Sequence, residues 1–251
     1  MLSNNNTSLL RGAYERTAAK FNNFIIQRSE LRLEQQLQAN QNRYTFQFKQ
    51  GNNSTDGPNA VLLNDQDAFV LVATQLYVIK YDPTDTPVPY NNSQRFTYPD
   101  PQVFVGAPAG RAAEWQALFT IWNGTMVFNT NSLQRMKAID LYSHLYAPQA
   151  QVVPSDDGTL LTLVNPTLAQ FNGPANDAWV EHQPTILFDG QQNNTFEINL
   201  GSGDTLAIDG SYAADGGQDA TGRNFLGLRL LGLLVANGAM AAKQFANSWN
   251  V

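Results

Sequence analysis

The longest run of β-branched and aromatic residues is FVLVATQLYVIKY, Phe69 to Tyr81. One alternate set is Phe69, Leu71, Ala73, Gln75, Tyr77, Ile79 and Tyr81; the other is Val70, Val72, Thr74, Leu76, Val78 and Lys80. Both sets are mostly apolar, so the run predicts a strand covered on both faces, with neighbours on either side. Asp82-Pro83 ends it, because proline cannot donate to a ladder. Around this strand the chain shows further period-two stretches. Tyr44, Phe46 and Phe48 alternate with polar residues, as do Phe196 and Ile198 in TFEINL. Phe225 to Val235 (FLGLRLLGLLV) is apolar on both faces, with Gly227 and Gly232 placed for close packing. Shorter strands are expected at Ala60–Leu63, Val103–Val105, Thr159–Val164, Thr185–Phe188 and Thr205–Ile208, with a brief one at His144–Ala147. A hairpin is expected over Phe119–Asn129, turning at Asn123-Gly124.

The first 42 residues read differently. Thr7 or Ser8 can cap a helix running from about Leu9 to about Asn40. Leu10, Tyr14, Phe21, Phe24 and Ile25 form its apolar face, and Leu33 and Leu37 continue a thinner stripe. The expected layout is a helical extension, 1–42, reaching a neighbouring copy, and a β-sandwich or jelly-roll body, 43–251. Eight to ten strands separated by turns, without βαβ alternation, point to an antiparallel, mainly β fold. Pro87 and Tyr90 in the Pro-rich loop 82–102, and Trp249 near the C-terminus, join the expected interface residues.

Composition sharpens this picture. Charged residues make up only 14% of the chain, against roughly 25% in an ordinary globular protein. Asn and Gln, roughly a fifth of all residues, fill the gap. An amide surface repels its copies weakly and hydrogen-bonds across a partner without burying ions. The net charge of −6 argues against direct nucleic-acid binding by the body. Arg11, Arg16, Lys20, Arg28 and Arg32 cluster near the N-terminus, but Glu15, Glu30 and Glu34 dilute them. With no cysteine there is no disulfide, thiolate nucleophile or Cys-based zinc site. No apolar run reaches the length of about 18 residues that a membrane helix needs, and MLSNNNTSLLRG does not read as a secretory signal.

No catalytic constellation emerges. His144, in LYSHLY, reads as a packed structural histidine. His182 follows Glu181, and adjacent strand residues point to opposite faces, so the pair is a poor metal site. There is no G-x-S-x-G for a serine nucleophile. Glu114, Glu181 and Glu197 are the candidates for a glycosidase pair, and Glu197 is expected to face solvent. Asp209, Asp215 and Asp219 in a glycine-rich loop are weak calcium candidates, off the EF-hand spacing. No cofactor and no small-molecule ligand are expected, and the chain is not read as an enzyme.

The segments LYVIKYDP, WNGTMVFN, PTILFDGQQNNTFEINL and FLGLRLLGLLVANG, behind an N-terminal extension and between long polar loops, resemble strands of the jelly-roll coat proteins of icosahedral viruses and phages. The resemblance implies a virion structural protein, assembled in the host cytoplasm, whose partners are copies of itself and other virion proteins. The arm departs from the pattern: it is not strongly basic, which leaves genome contact in doubt. The alternative is a carbohydrate-binding β-sandwich, with Trp115, Trp122, Trp179 or Tyr90 stacking on sugars and calcium in the Asp209–Asp219 loop.

Overall fold

The computed structural model describes residues 4–38, 41–49, 60–81, 95–98, 120–145, 151–154, 161–164, 178–200, 211–212 and 222–245. The protein is mainly β, with two antiparallel sheets packed as a sandwich and a helix at its N-terminus. The first sheet runs in the order β1 (Ile26–Gln36), β13 (Gly222–Val235), β3 (Ala68–Tyr81), β10 (Val180–Asp189), with β4 (Arg95–Phe96) and β12 (Ser211–Tyr212) at its margins. The second runs β2 (Arg43–Gln47), β11 (Asn194–Asn199), β5 (Thr125–Thr130), β6 (Leu133–Gln134), with β7 (Ile139–Asp140) also on β5. β8 (Gln151–Pro154) and β9 (Leu161–Val164) form a separate pair.

The order of the main strands has a simple logic. β1 pairs with β13, β2 with β11, β3 with β10 and β5 with β6. Among these eight strands the first pairs with the last, the second with the second-to-last, and so inward, which is a long antiparallel ribbon rolled over on itself. That nesting is the jelly-roll arrangement. The predicted central strand sits inside the first sheet, and Phe69 to Ile79 are buried throughout. Its two faces are not the two simple alternate sets. Ala73 pairs with Leu231 and Leu71 with Gly232, so Val72 is an extra residue, a β-bulge. Phe69 and Leu71 face the sandwich interior before it, and Leu76 and Val78 after it.

Between the sheets lies one continuous core, including Leu33, Tyr44, Phe46, Phe48, Phe128, Phe188, Phe196 and Leu228. Tyr44, at its margin, donates to the Gln38 carbonyl, and burial pushes its phenol up to about 12. A third layer covers part of the first sheet's outer face. Here α1 (Asn4–Lys20), Phe21 just after it, and α2 (Ala239–Phe245) pack on the sheet, with Ala13, Phe21 and Ala242 buried against Val70, Val72, Leu187, Leu233 and Val235. Phe21 sets its ring edge-on to Phe24 and Phe245.

The long N-terminal helix is corrected. α1 stops at Lys20, and residues 26–36 are an eleven-residue strand paired with Phe225 to Val235 of β13. Leu31, Leu33 and Leu37 are spaced by even numbers, and that parity sends all three into the core. The helix-forming Glu and Gln residues between them are overridden by the ladder. The 1–42 segment is thus partly built into the sandwich: Leu33, Leu37 and Phe21 are buried in this chain's own cores and are not free to meet a neighbour. The Phe119–Asn129 hairpin is also corrected. Thr120 to Trp122 are helical, with Ile121 and Trp122 buried, and only Thr125 onward is strand. Ala60–Leu63 makes only isolated bridges, Arg32 to Val61 and Lys49 to Leu63. His144 ends a 3-10 turn, Leu141–His144, rather than starting a strand. The expected strands at 103–105 and 205–208 lie outside the described residues.

Several amides act inside the fold. At the first residue of β11, Asn194 Nδ2 donates to the Asp189 carbonyl at 2.7 Å, while its Oδ1 accepts from Thr130 at 3.0 Å. Asn131, at φ 50°, accepts at its Oδ1 from the Asn193 amide. Asn194→Ala is expected to cost about 1–3 kcal/mol, because it strands two buried partners; a denaturant melt within error of wild type would show that water replaces it.

Candidate functional site

Two buried polar clusters hold the chemistry-bearing side chains. The first lies inside the sandwich. Thr74 comes from β3, His182 from β10 and His144 from the 3-10 turn that follows β7. Thr74 Oγ1 is 2.9 Å from His144 Nε2 and 2.9 Å from His182 Nε2. His144 is 0% and His182 2% exposed. The parity of β10 sends Glu181 outward and His182 inward, as expected of neighbouring strand residues. Phe128 sets its ring edge-on to His182, with centroids 5.4 Å apart. Burial drives the His182 imidazole from its ordinary 6.5 down to about 4. His144 falls to about 3, through burial first and the neighbouring His182 second. Both rings are therefore neutral at physiological pH.

A hydroxyl between two imidazoles has one proton to give, so the two rings must be different tautomers. Ser143 Oγ donates to the Asp140 carbonyl at 2.7 Å, which leaves it an acceptor for His144 Nδ1, 3.4 Å away. His144 then carries its proton on Nδ1 and accepts from Thr74 through Nε2. Thr74 in turn accepts from His182 Nε2–H. The hydrogen bonds run one way, from His182 through Thr74 and His144 to Ser143.

The second cluster lies on the outer face of the first sheet, beyond the helices. Glu34, Gly227 and Tyr77 are opposite one another on three adjacent strands. Gly227 has no side chain, so the Tyr77 ring lies across it: a Cβ there would come within 2.3 Å of the ring. The hydroxyl then donates to Glu34 Oε1 at 2.8 Å. Burial and the Glu34 carboxylate raise the Tyr77 phenol well above its ordinary range. Arg95 lies over the same ring, 5.7 Å from its centroid. One residue pair along, Arg229 makes a two-pronged bond to Glu30, donates to Gln75 and stacks on Trp179 at 5.0 Å. This face knits three strands together with paired charges.

The other expected site residues divide. Leu10 and Phe24 are partly buried against the helical layer. Tyr14 is 47% and Ile25 72% exposed, in positions open to a partner. Among the sugar-stacking candidates, Trp122 is fully buried and Trp179 is taken up by Arg229. Glu197 pairs with Arg43. Pro87, Tyr90, Trp115, Glu114, Trp249, Asp209, Asp215 and Asp219 lie outside the described residues. Among the described residues no three His, Cys, Asp or Glu side chains gather to hold a metal, and no helix is long and apolar enough to cross a membrane. The histidine cluster could not be found from sequence, because His144 and His182 meet only through β3, about seventy and a hundred residues earlier in the chain. Comparison with known proteins finds no matching family model and no matching curated relative.

Proposed function

We propose that the protein is a structural subunit of a virion, a coat or shell-associated component that works by self-assembly. The observation that carries this reading is the placement of exposed apolar side chains. Tyr14, Ile25 and Met240 stand out from the helical layer on the first sheet, Met240 at 65% exposure. Leu133 and Tyr142, at 66% and 62%, belong to β6 and the 3-10 turn on the other side of the sandwich. Exposed apolar side chains on more than one side of the sandwich suit head-to-tail contacts repeated from copy to copy, whereas a ligand-binding monomer needs one concave site. Jelly rolls serve as capsid subunits and also as lectins, so the fold is compatible with the reading without deciding it. The low charge and high amide content reduce repulsion between close copies.

The test is the mass of the full chain in solution as concentration rises. Deleting residues 1–42 is unsuitable, because it removes β1. Ile25→Glu and Met240→Glu instead alter exposed side chains. The wild-type chain is expected to form assemblies many times its 27.7 kDa, and the two variants to shift the onset to at least tenfold higher concentration. A monomer at all concentrations would contradict self-assembly, and specific binding to a glycan array would favour the lectin alternative.

A further inference from the structure

The histidine cluster occupies the side of the sandwich where β10 ends the first sheet and β5, with β6 and β7, ends the second. Along the opposite margin, where β1 and β2 end the two sheets, the bridges of Val61 to Arg32 and Leu63 to Lys49 lie alongside. At the β10 side, Thr74 reaches from one sheet to a turn carried by the other. The turn is fixed beside the start of β5 by the Leu141 amide, which donates to the carbonyl of Gly124, the residue before the strand, at 3.0 Å, and Leu141 is fully buried. We propose that His182, Thr74 and His144 form an acid-sensitive latch that ties the Leu141–His144 turn to the first sheet and opens when the histidines take up protons.

The geometry gives the reason. The one-way chain needs Nε2 of His144 to accept. Protonation turns that nitrogen into a donor and leaves the Thr74 proton without a receiver. A second proton on His182 would set two cations on one hydroxyl oxygen in an apolar core. No carboxylate faces them among the described residues. From β10, Glu181 points to the opposite, exposed face. From the turn, Asp140 is exposed and caps it by accepting from the Tyr142 amide. β5 contributes Phe128 and Met126, β11 contributes Phe196, and β13 contributes Leu228 and Leu230, all apolar. Gln75 and Arg229 lie on the outer face, bonded to each other. Asp189, at the far end of β10, is bonded to the Gln191 amide.

The sign follows from linkage. Each ring has a lower proton affinity folded than unfolded, so the unfolded chain binds more protons and stability is lost as the pH is lowered. The loss begins as pH drops through 6.5 and continues to about 4 for His182 and about 3 for His144. Within that window the folding equilibrium weakens about tenfold per pH unit for each histidine, about a hundredfold for the pair. The decisive measurement is urea unfolding of the full chain from pH 7 to 4.5, beside the non-titrating variant His144→Gln/His182→Gln. The variant is expected to lose about a hundredfold per unit of the wild-type slope; an unchanged slope would overturn the latch. Histidine ring NMR on the wild-type chain decides independently, even if the variant does not fold. Nδ1–H on His144 and Nε2–H on His182, persisting to pH 5, support the proposal. A ring that titrates near 6.5 in the folded chain, or matching tautomers, would overturn it.

Discussion

Phe128→Ala is expected to lower the unfolding free energy by about 3–5 kcal/mol, the range for emptying a buried aromatic site. Phe128 sits on β5 at the middle of the second sheet and is fully buried. Its ring packs edge-on to Phe196 at 4.5 Å and His182 at 5.4 Å, and tilted to Phe188 at 5.9 Å. Phe188 is on β10 of the first sheet, so one side chain joins both layers. The three neighbours are ring systems fixed by their own strands, and none can swing in to fill the space. Part of the loss would be pH-dependent, since water entering the void would reach His182 and relieve its burial. Chemical denaturation at pH 7 measures the effect. A change under about 1 kcal/mol would mean that the sheets are not held together at this point.

Gly232→Val is expected to cost about 3 kcal/mol or more, beyond ordinary overpacking. A Cβ at Gly232 would stand 2.1 Å from the Val70 carbonyl oxygen and 2.7 Å from the Phe69 ring. Gly232 sits beside the bulge at Val72, where β13 and β3 shift register. The clash is with backbone, so no rotamer change relieves it, and the strands must part. β13 and β3 are the two inner strands of the first sheet, so parting them disturbs every layer. Thermal melting and amide exchange along β13 would report it; a protein with wild-type melting temperature would show that the bulge is not where the register places it. Gly227→Ala meets a ring instead, but that ring is held at its hydroxyl by Glu34.

These two sites show what the sequence carries openly and what it hides. The period-two alternation of Tyr44, Phe46 and Phe48, and of TFEINL, survives intact, because each such strand buries one face and wets the other. The doubly apolar runs at Phe69 and Phe225 correctly announce the inner strands. Gly227 and Gly232 were legible as close-approach positions, though not what approaches them. The segment from Arg28 to Gln38 reads as helix because its Glu, Gln and Arg residues favour a helix in isolation. The even spacing of Leu31, Leu33 and Leu37 was the competing signal, and pairing along β13 decides in its favour. Trp122 looked like a strand residue ahead of an Asn-Gly hairpin. Gly124 is instead pinned beneath β11, where a Cβ would lie 2.6 Å from the Asn199 carbonyl oxygen. The His144–Thr74–His182 contact and the Tyr77–Glu34 bond across Gly227 depend on strand order and on a bulge. Neither feature has a local sequence marker.

The helical layer links the fold to the proposed role. α1 is held by Ala13, Thr17 and Phe21, all buried, which leaves Tyr14 pointing away from the sheet. Ile25, in the turn between α1 and β1, is fixed by its carbonyl, which accepts from the Ala236 amide. Tyr14 and Ile25 are therefore held in place by the fold, and the proposed docking would carry little ordering cost there.

Electron microscopy of the purified full chain, taken across the concentration at which its mass rises, tests the self-assembly proposal most directly. The proposal predicts particles of uniform diameter that Ile25→Glu/Met240→Glu disperses, although the variant keeps the wild-type fold. A field of single 27.7 kDa molecules at every concentration, or particles that the double variant forms equally well, would contradict assembly through the helical layer.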